Sequence, residues 1–252
     1  MSARKVAKGL YALWYREFKV FTRERSRVVS SIVTPLFFML VLGRGIGSLV
    51  NLPGIGYEAF IFPGFLAMMV LFTSVFFGTY VVWDKRIDFL KEVLISPLTR
   101  ATIFSGKVLG GVTDSMIQVI LLMLIGILLR VQFDVLGVVS AVFMLFVFAV
   151  GMVSLGLVIG SFMESPQGFG LVGTFVIFPL FLLSGALYPI GGLPSWMAAL
   201  TQLNPVTYAV DGLRSALLNV SSFSFLFNLT VVSAFSAAMI ALGTWSFNRM
   251  KL

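Results

Sequence analysis

Six stretches of about twenty or more mostly apolar residues recur along this 252-residue chain, at 29–50, 60–83, 106–129, 135–162, 169–188 and 223–247. A hydrocarbon core of about 30 Å is crossed by roughly 20 helical residues. The runs are continuous, whereas barrel strands would be short and alternating, so helices are expected to span a membrane. Composition agrees, with 59% hydrophobic and only 11% charged residues. A soluble domain would need about twice that share of charge to cover itself. The expected fold is therefore an all-α membrane protein of six transmembrane helices.

The chain contains neither cysteine nor histidine. That removes disulfides, zinc sites built on these residues, Cys or His nucleophiles and histidine proton relays. The net charge of +8 comes from 18 Lys and Arg against 10 Asp and Glu. The basic residues concentrate in the N-terminal segment (Arg4, Lys5, Lys8, Arg16, Lys19, Arg23, Arg25, Arg27), in the loop after the second span (Lys85, Arg86, Lys91, Arg100, Lys107) and at the C-terminus (Arg249, Lys251). Arg44, Arg130 and Arg214 fall on the other side. The positive-inside rule then places both termini in the cytoplasm. Topology accounts for the basic excess, and no nucleic-acid partner is expected. The N-terminal apolar run is too long for a cleavable signal peptide and lacks its small-residue site.

The chain divides into a cytoplasmic amphipathic interface helix at 1–28 and a transmembrane domain at 29–252. In the first, Val6, Leu10, Leu13, Trp14, Phe18 and Phe21 share a face that would lie down on the membrane. Such a helix serves as an anchor or as a lever for a cytoplasmic partner. The loop at 84–103 opens with one short amphipathic helix carrying an Ile87, Leu90 and Leu94 stripe, stopped at Ser96-Pro97. It is a docking helix for another subunit or an ordinary solvated loop.

The external segment 189–222 is too apolar for a loop and is broken by Pro189, Pro194 and Pro205. Short re-entrant helices fit it, with irregular backbone sheltered by protein or a water-filled cavity. Asp211 and Arg214, three residues apart, can meet on one helix as an ion pair stabilising the external cap, or take part in gating. Arg44 and Asp114 are the intramembrane charges. Arg44 can snorkel from the outer end of the first span, and Asp114 calls for a buried partner or a cavity. Gly43/Gly47, Gly106/Gly110 and Gly156/Gly160 are small-residue pairs that permit close helix approach.

The sequence has no G-x-x-x-x-G-K-[ST], no paired-carboxylate site, no metal-ligand cluster and no G-x-S-x-G elbow. An enzyme is not expected, and no cofactor or metal on this chain.

The stretch Phe178-Pro179-Leu180-Phe181-Leu182-Leu183-Ser184-Gly185-Ala186-Leu187-Tyr188-Pro189 resembles the signature of ABC-2 type permeases, the membrane subunits of type-2 ABC exporters. It continues through Leu193-Pro194-Ser195-Trp196, Leu203-Asn204-Pro205-Val206-Thr207-Tyr208 and Asp211-Gly212-Leu213-Arg214. Tyr57-Glu58-Ala59-Phe60-Ile61-Phe62-Pro63-Gly64 is similar to the approach to that family's second span. Phe89-Leu90-Lys91-Glu92-Val93-Leu94-Ile95-Ser96-Pro97-Leu98-Thr99-Arg100 resembles its coupling segment.

The resemblance implies a homodimeric core in the plasma (inner) membrane and a separate ATPase subunit that carries ATP and Mg²⁺. Ile87, Leu90, Lys91, Glu92, Leu94 and Pro97 would face that ATPase, with Glu92 matching an acidic coupling position. Asn204, Pro205, Tyr208, Asp211 and Arg214 would form the external gate or cap. The coupling segment is most similar to drug-resistance and nodulation-type exporters, which implies a hydrophobic or amphipathic substrate, drug-like or lipid. A lipid-linked polysaccharide is the runner-up, although 28–36 lacks the Trp-rich start of those exporters. A membrane scaffold without transport and a self-sufficient secondary carrier are the readings from other classes; sparse intramembrane charge opposes the carrier.

Overall fold

The computed structural model describes residues 3–47, 56–128, 134–191 and 193–250. Among them are eleven helices and no strand: α1 (Ala3–Arg23), α2 (Arg25–Gly47), α3 (Tyr57–Phe76), α4 (Thr79–Arg86), α5 (Phe89–Ile95), α6 (Arg100–Leu128), α7 (Val135–Phe162), α8 (Pro166–Leu182), α9 (Ser195–Leu203), α10 (Pro205–Leu218) and α11 (Phe225–Arg249). The stretches Val28–Gly45, Tyr57–Arg86, Arg100–Gly126, Val135–Phe162 and Phe225–Arg249 are long and apolar enough to cross a membrane. The chain is an all-α membrane protein. The ends of the first and third expected runs, and Arg130, Gly192 and Lys251, lie outside the described residues.

The fifth expected span, 169–188, is helical only as far as Leu182. Its 17 residues rise about 25 Å, short of the hydrocarbon thickness. The rest is a turn whose Gly185 takes φ 71°, a left-handed backbone that glycine adopts without steric cost. This turn folds back onto the start of α3. There the Tyr57 hydroxyl donates to Leu187 O at 3.0 Å, and a Cβ on Gly64 would stand 2.6 Å from Ala186 O.

α3 is buried almost all round and sits against α7, α2, α6 and α10. Helices that meet inside a bilayer gain no hydrophobic free energy from the encounter, so close packing and interhelical hydrogen bonds hold them. Glycine provides the packing. A Cβ on Gly78, at the break between α3 and α4, would lie 2.0 Å from Gly156 O. Cβ atoms on Gly156 and Gly160 would lie 2.3 Å from Val75 O and Gly78 O. Polar side chains provide the hydrogen bonds between α3 and α6: Thr73 Oγ1 to Gln118 Oε1 at 2.9 Å and Ser74 Oγ to Ser115 Oγ at 2.9 Å.

The second span, expected to be unbroken, thus pauses at Phe77–Gly78 where α7 presses in. The expected helix from 84 is also two pieces. α4 ends at Arg86, Asp88 takes a left-handed φ of 57°, and α5 begins at Phe89. Ser96 is extended (φ −63°, ψ 156°) and stops α5 ahead of Pro97 as expected.

α1 does not rest on the membrane alone. It runs alongside the first half of α6, burying Gly9, Leu13, Glu17 and Phe21, a stripe at intervals of four. Gly106 and Gly110 of α6 make room, since their Cβ atoms would fall 2.8 Å from Leu13 Cβ and 2.5 Å from Glu17 Cβ. Trp14 Nε1 donates to Thr113 Oγ1 at 2.9 Å.

Gly78→Ala and Gly156→Ala should each destabilise the fold by about 1–3 kcal/mol, whereas Gly170→Ala, with nothing within 4 Å of its Cβ, should be neutral. Thermal unfolding in mild detergent checks this; equal melting of all three would show that the close approach of α4 and α7 contributes nothing.

Candidate functional site

Where α1, α4 and α6 meet, four charged side chains converge. Lys107 of α6 and Glu17 and Asp84 from α1 and α4 are buried, with side-chain exposures of 1%, 1% and 4%. Lys107 Nζ donates to Asp84 Oδ2 at 2.5 Å and to Glu17 Oε1 at 3.0 Å. Arg16 closes the cluster from the surface, donating to Glu17 Oε1 at 2.7 Å and Asp84 Oδ1 at 2.6 Å. Burial opposes the charge on Arg16, but Asp84 and Glu17 more than offset this and its pKa is raised.

Two cations and two carboxylates make the cluster neutral. Buried charge at this depth is tolerated only when paired in this way. One acceptor is still open: Glu17 Oε2 has no hydrogen-bond partner among the described residues.

The cluster reaches the coupling segment directly. The Arg16 guanidinium stacks 3.9 Å above the Phe89 ring, the first residue of α5. A chain of contacts thus runs from α5 through Arg16 to Asp84 of α4 and on to Lys107 of α6. Two further cations brace the same end. Lys85 Nζ donates to Gly160 O, Ser161 O and Met163 O at 3.1, 2.6 and 3.2 Å, capping α7. Arg100 Nη1 does the same for α11 through Phe247 O, Asn248 O and Met250 O. Both satisfy carbonyls that a helix end leaves open, and both place positive charge at the negative end of a helix dipole.

α5 divides the expected docking residues. Glu92, Lys91, Ile87 and Pro97 are exposed. The Glu92 side chain makes no hydrogen bond or ion pair among the described residues, while Lys91 pairs with Asp88 at 2.7 Å. Leu90 corrects the expected outward stripe. It is 3% exposed and belongs to the chain's own core, with Leu94 half-buried beside it. The break at Asp88 rotates α5 relative to α4, and Ile95 at 74% exposed takes the outward apolar position. Between α5 and the ends of α7 and α11 lies a groove of about 410 Å³ lined by Leu90, Leu94, Lys85, Lys91, Glu164 and Arg249.

The opposite end holds the expected cap residues. Asn204 is the N-cap of α10: Oδ1 accepts from Val206 N at 3.0 Å and Nδ2 donates to Leu180 O at 2.6 Å, with Pro205 next in the first helical turn. The Tyr208 hydroxyl donates to Gln202 O, and its ring packs on Phe223 and Phe227.

Asp211 and Arg214 sit on one helix as expected but do not pair with each other. Each finds a richer set of partners on its own side of α10. Asp211 accepts from Ser222 N, Phe223 N and Asn228 Nδ2 at 2.8, 3.0 and 2.8 Å, just ahead of and within the first turn of α11. Arg214 donates to Gly185 O at 2.8 Å and Ala186 O at 3.1 Å, and stacks 3.7 Å over the Phe60 ring.

Of the intramembrane charges, Arg44 is exposed and 3.9 Å from the exposed Glu58. Asp114 is fully buried on α6, one turn from Gln118.

The family described as ABC-2 type transporter matches residues 8–218, most of the chain and all of it from α2 through α10. This chain belongs to the ABC-2 type transporter family. The permease is 30% identical over 246 residues to the inner membrane transport permease YadH of Escherichia coli strain K12, covering 94% of this chain and 93% of that protein. It is 24% identical over 241 residues to the daunorubicin resistance ABC transporter permease protein DrrB1 of Streptomyces coeruleorubidus, covering 95% of this chain and 84% of that one. It is a multi-pass membrane transport permease, and its family implies a nucleotide-binding ATPase subunit as partner.

Sequence reasoning about this permease missed Arg16, Glu17 and Lys107 as a functional group. Two signals were legible. Glu17 lies four residues from both Leu13 and Phe21 on the inner face of α1, and Lys107 sits inside the Gly106/Gly110 pair.

Lys107→Met leaves two buried carboxylates facing one surface arginine and should cost about 3–5 kcal/mol. Adding Glu17→Leu restores neutrality and should recover most of that loss, as a double-mutant cycle in detergent unfolding will show. Additive losses would mean the two side chains do not interact.

Proposed function

We propose that this permease is the membrane half of an ATP-driven exporter that moves hydrophobic or amphipathic molecules, drug-like or lipid, out of the cytoplasm or inner leaflet. Both termini and the end bearing α1 and α5 face the cytoplasm. Two copies form the membrane core, each engaged by a nucleotide-binding subunit. ATP and Mg²⁺ belong to that partner.

The observation that carries this reading is the relay from Phe89 through Arg16 to Asp84 and Lys107. It ties a short exposed segment, which a partner can push, to α4 and α6 by charge-assisted contacts. Such contacts are shorter and stronger than neutral hydrogen bonds, so they transmit displacement rather than absorb it. The unpaired Glu92 on the outer face of α5 suits a basic position on the ATPase. ATP-driven closure of the ATPase pair would move α5, and the relay would carry the movement into the α3–α4 span and α6. On this reading α2, α3 and α8 line the path, and the α9–α10 cap opposes release until α10 shifts on its Arg214 and Asp211 anchors. The daunorubicin-resistance relative supports the substrate class.

Co-expression with a candidate nucleotide-binding ATPase subunit, followed by reconstitution in vesicles, tests the reading. ATP should drive accumulation of an amphipathic fluorescent dye. Glu92→Arg should leave the complex assembled yet lower coupled transport by about tenfold or more, since like charges set against each other cost several kcal/mol. Dye movement driven by an ion gradient in the chain alone would overturn the ATP-driven reading; unchanged transport by Glu92→Arg would remove that residue from the mechanism.

A further inference from the structure

The outward side of α1 carries a second pattern, which the coupling cluster does not use. Arg4, Lys8, Tyr11, Tyr15 and Lys19 follow one another at spacings of four, three, four and four. They form one continuous ridge on the side opposite the buried Gly9, Leu13, Glu17 and Phe21. All five are exposed, as are the flanking Lys5 and Arg23.

Among the described residues no carboxylate forms an ion pair with these cations. The single acid of α1, Glu17, is committed to Lys107. Glu24, which follows the helix, accepts from the Tyr80 hydroxyl. Among the described residues none of Arg4, Lys5, Lys8, Lys19 or Arg23 forms an ion pair, while Lys19 Nζ lies 5.0 Å over the Tyr15 ring. Tyr11 and Tyr15 stack on each other, with centroids 5.8 Å apart, and Tyr11 continues into Trp14 and Phe18 on the side toward α6.

Position selects among partners for a surface of this chemistry. α1 passes through Glu24 into α2, whose membrane-crossing stretch opens at Val28, five residues after Arg23. The C-terminal part of α1 is thus held at the edge of the bilayer. Tyrosine and tryptophan with a polar tip and an apolar body belong at headgroup depth. Cations beside a membrane span are drawn to anionic leaflets. A helix with one aromatic edge and one cationic edge matches a headgroup layer carrying negative charge.

We propose that the outward ridge of α1 selectively binds anionic phospholipid headgroups in the leaflet on its own side of the membrane. The opposite face of the same helix presents Glu17 to Lys107, so leaflet charge bears on the position of the coupling cluster. That consequence rests on the transport reading above; the lipid selection does not.

Trp14, half-buried at the flank of the ridge with its ring 5.8 Å from that of Tyr11, reports on lipid gathered beside the helix. The chain has four tryptophans, and Trp83, Trp196 and Trp245 are exposed enough to be replaced by Phe. The full-length Trp14-only chain is reconstituted in vesicles containing the same fraction of brominated phosphatidylglycerol or brominated phosphatidylcholine. The charged lipid should quench Trp14 about threefold more, with the preference falling in high salt. Lys5→Gln/Lys8→Gln/Lys19→Gln should abolish the preference, and Lys5→Arg/Lys8→Arg/Lys19→Arg should keep it. Equal quenching by the two lipids, quenching by neither, or a preference that survives the Gln variant would each overturn the proposal. A protein partner covering the ridge would give the second of these outcomes. Because the assay needs neither ATP nor a transported molecule, its failure is distinct from failure of the exporter reading.

Discussion

One buried ammonium holds together the end of this permease where its helices converge. Lys107 cannot leave its place without stranding Glu17 and Asp84, and neither acid can leave without stranding the lysine. In a medium that offers almost no solvation, this mutual dependence fixes α1, α4 and α6 relative to one another. Arg16 extends the arrangement to the surface and to Phe89. A segment of seven residues, α5, is thereby linked by contact to α4 and α6.

A related constraint recurs at several helix ends and turns. Open carbonyls need partners, and here cations supply them. Lys85 closes α7, Arg100 closes α11, and Arg214 gathers the carbonyls of the turn after α8. Asp211 is the mirror case, a carboxylate receiving the amides that lead into α11. These contacts explain why Asp211 and Arg214 ignore each other although the spacing allows a pair. Each has backbone groups within reach that would otherwise go unsatisfied, and both side chains are buried, where an unpaired polar group is costly.

Glycine does for packing what the cations do for helix ends. All three small-residue pairs seen in the sequence lie at helix contacts: Gly43 against Glu58, Gly106 and Gly110 against α1, Gly156 and Gly160 against the α3–α4 break. The Gly106/Gly110 pair has a double role. By letting α1 approach within contact of the α6 backbone, it places Glu17 beside Lys107, so the packing motif and the charge cluster are one feature.

The apolar runs, their length and the helix-stopping Ser96-Pro97 were determined by the sequence, because hydrophobic length and proline stereochemistry act locally. So were the glycine pairs, whose chemistry is set within a few residues. Only the tertiary structure decided which charges meet. Lys107 finds Glu17 ninety residues away, Arg100 finds the end of α11, and Arg214 finds Gly185 rather than Asp211. It also decided where runs of uniform hydrophobicity would break. The pause at Phe77–Gly78 and the early end of α8 depend on α7 and α3 pressing from outside. The physical reason is the same in each case. In a chain this apolar, periodicity says little about which face turns inward, and the partner of a buried charge is fixed by which helices come within a few ångströms.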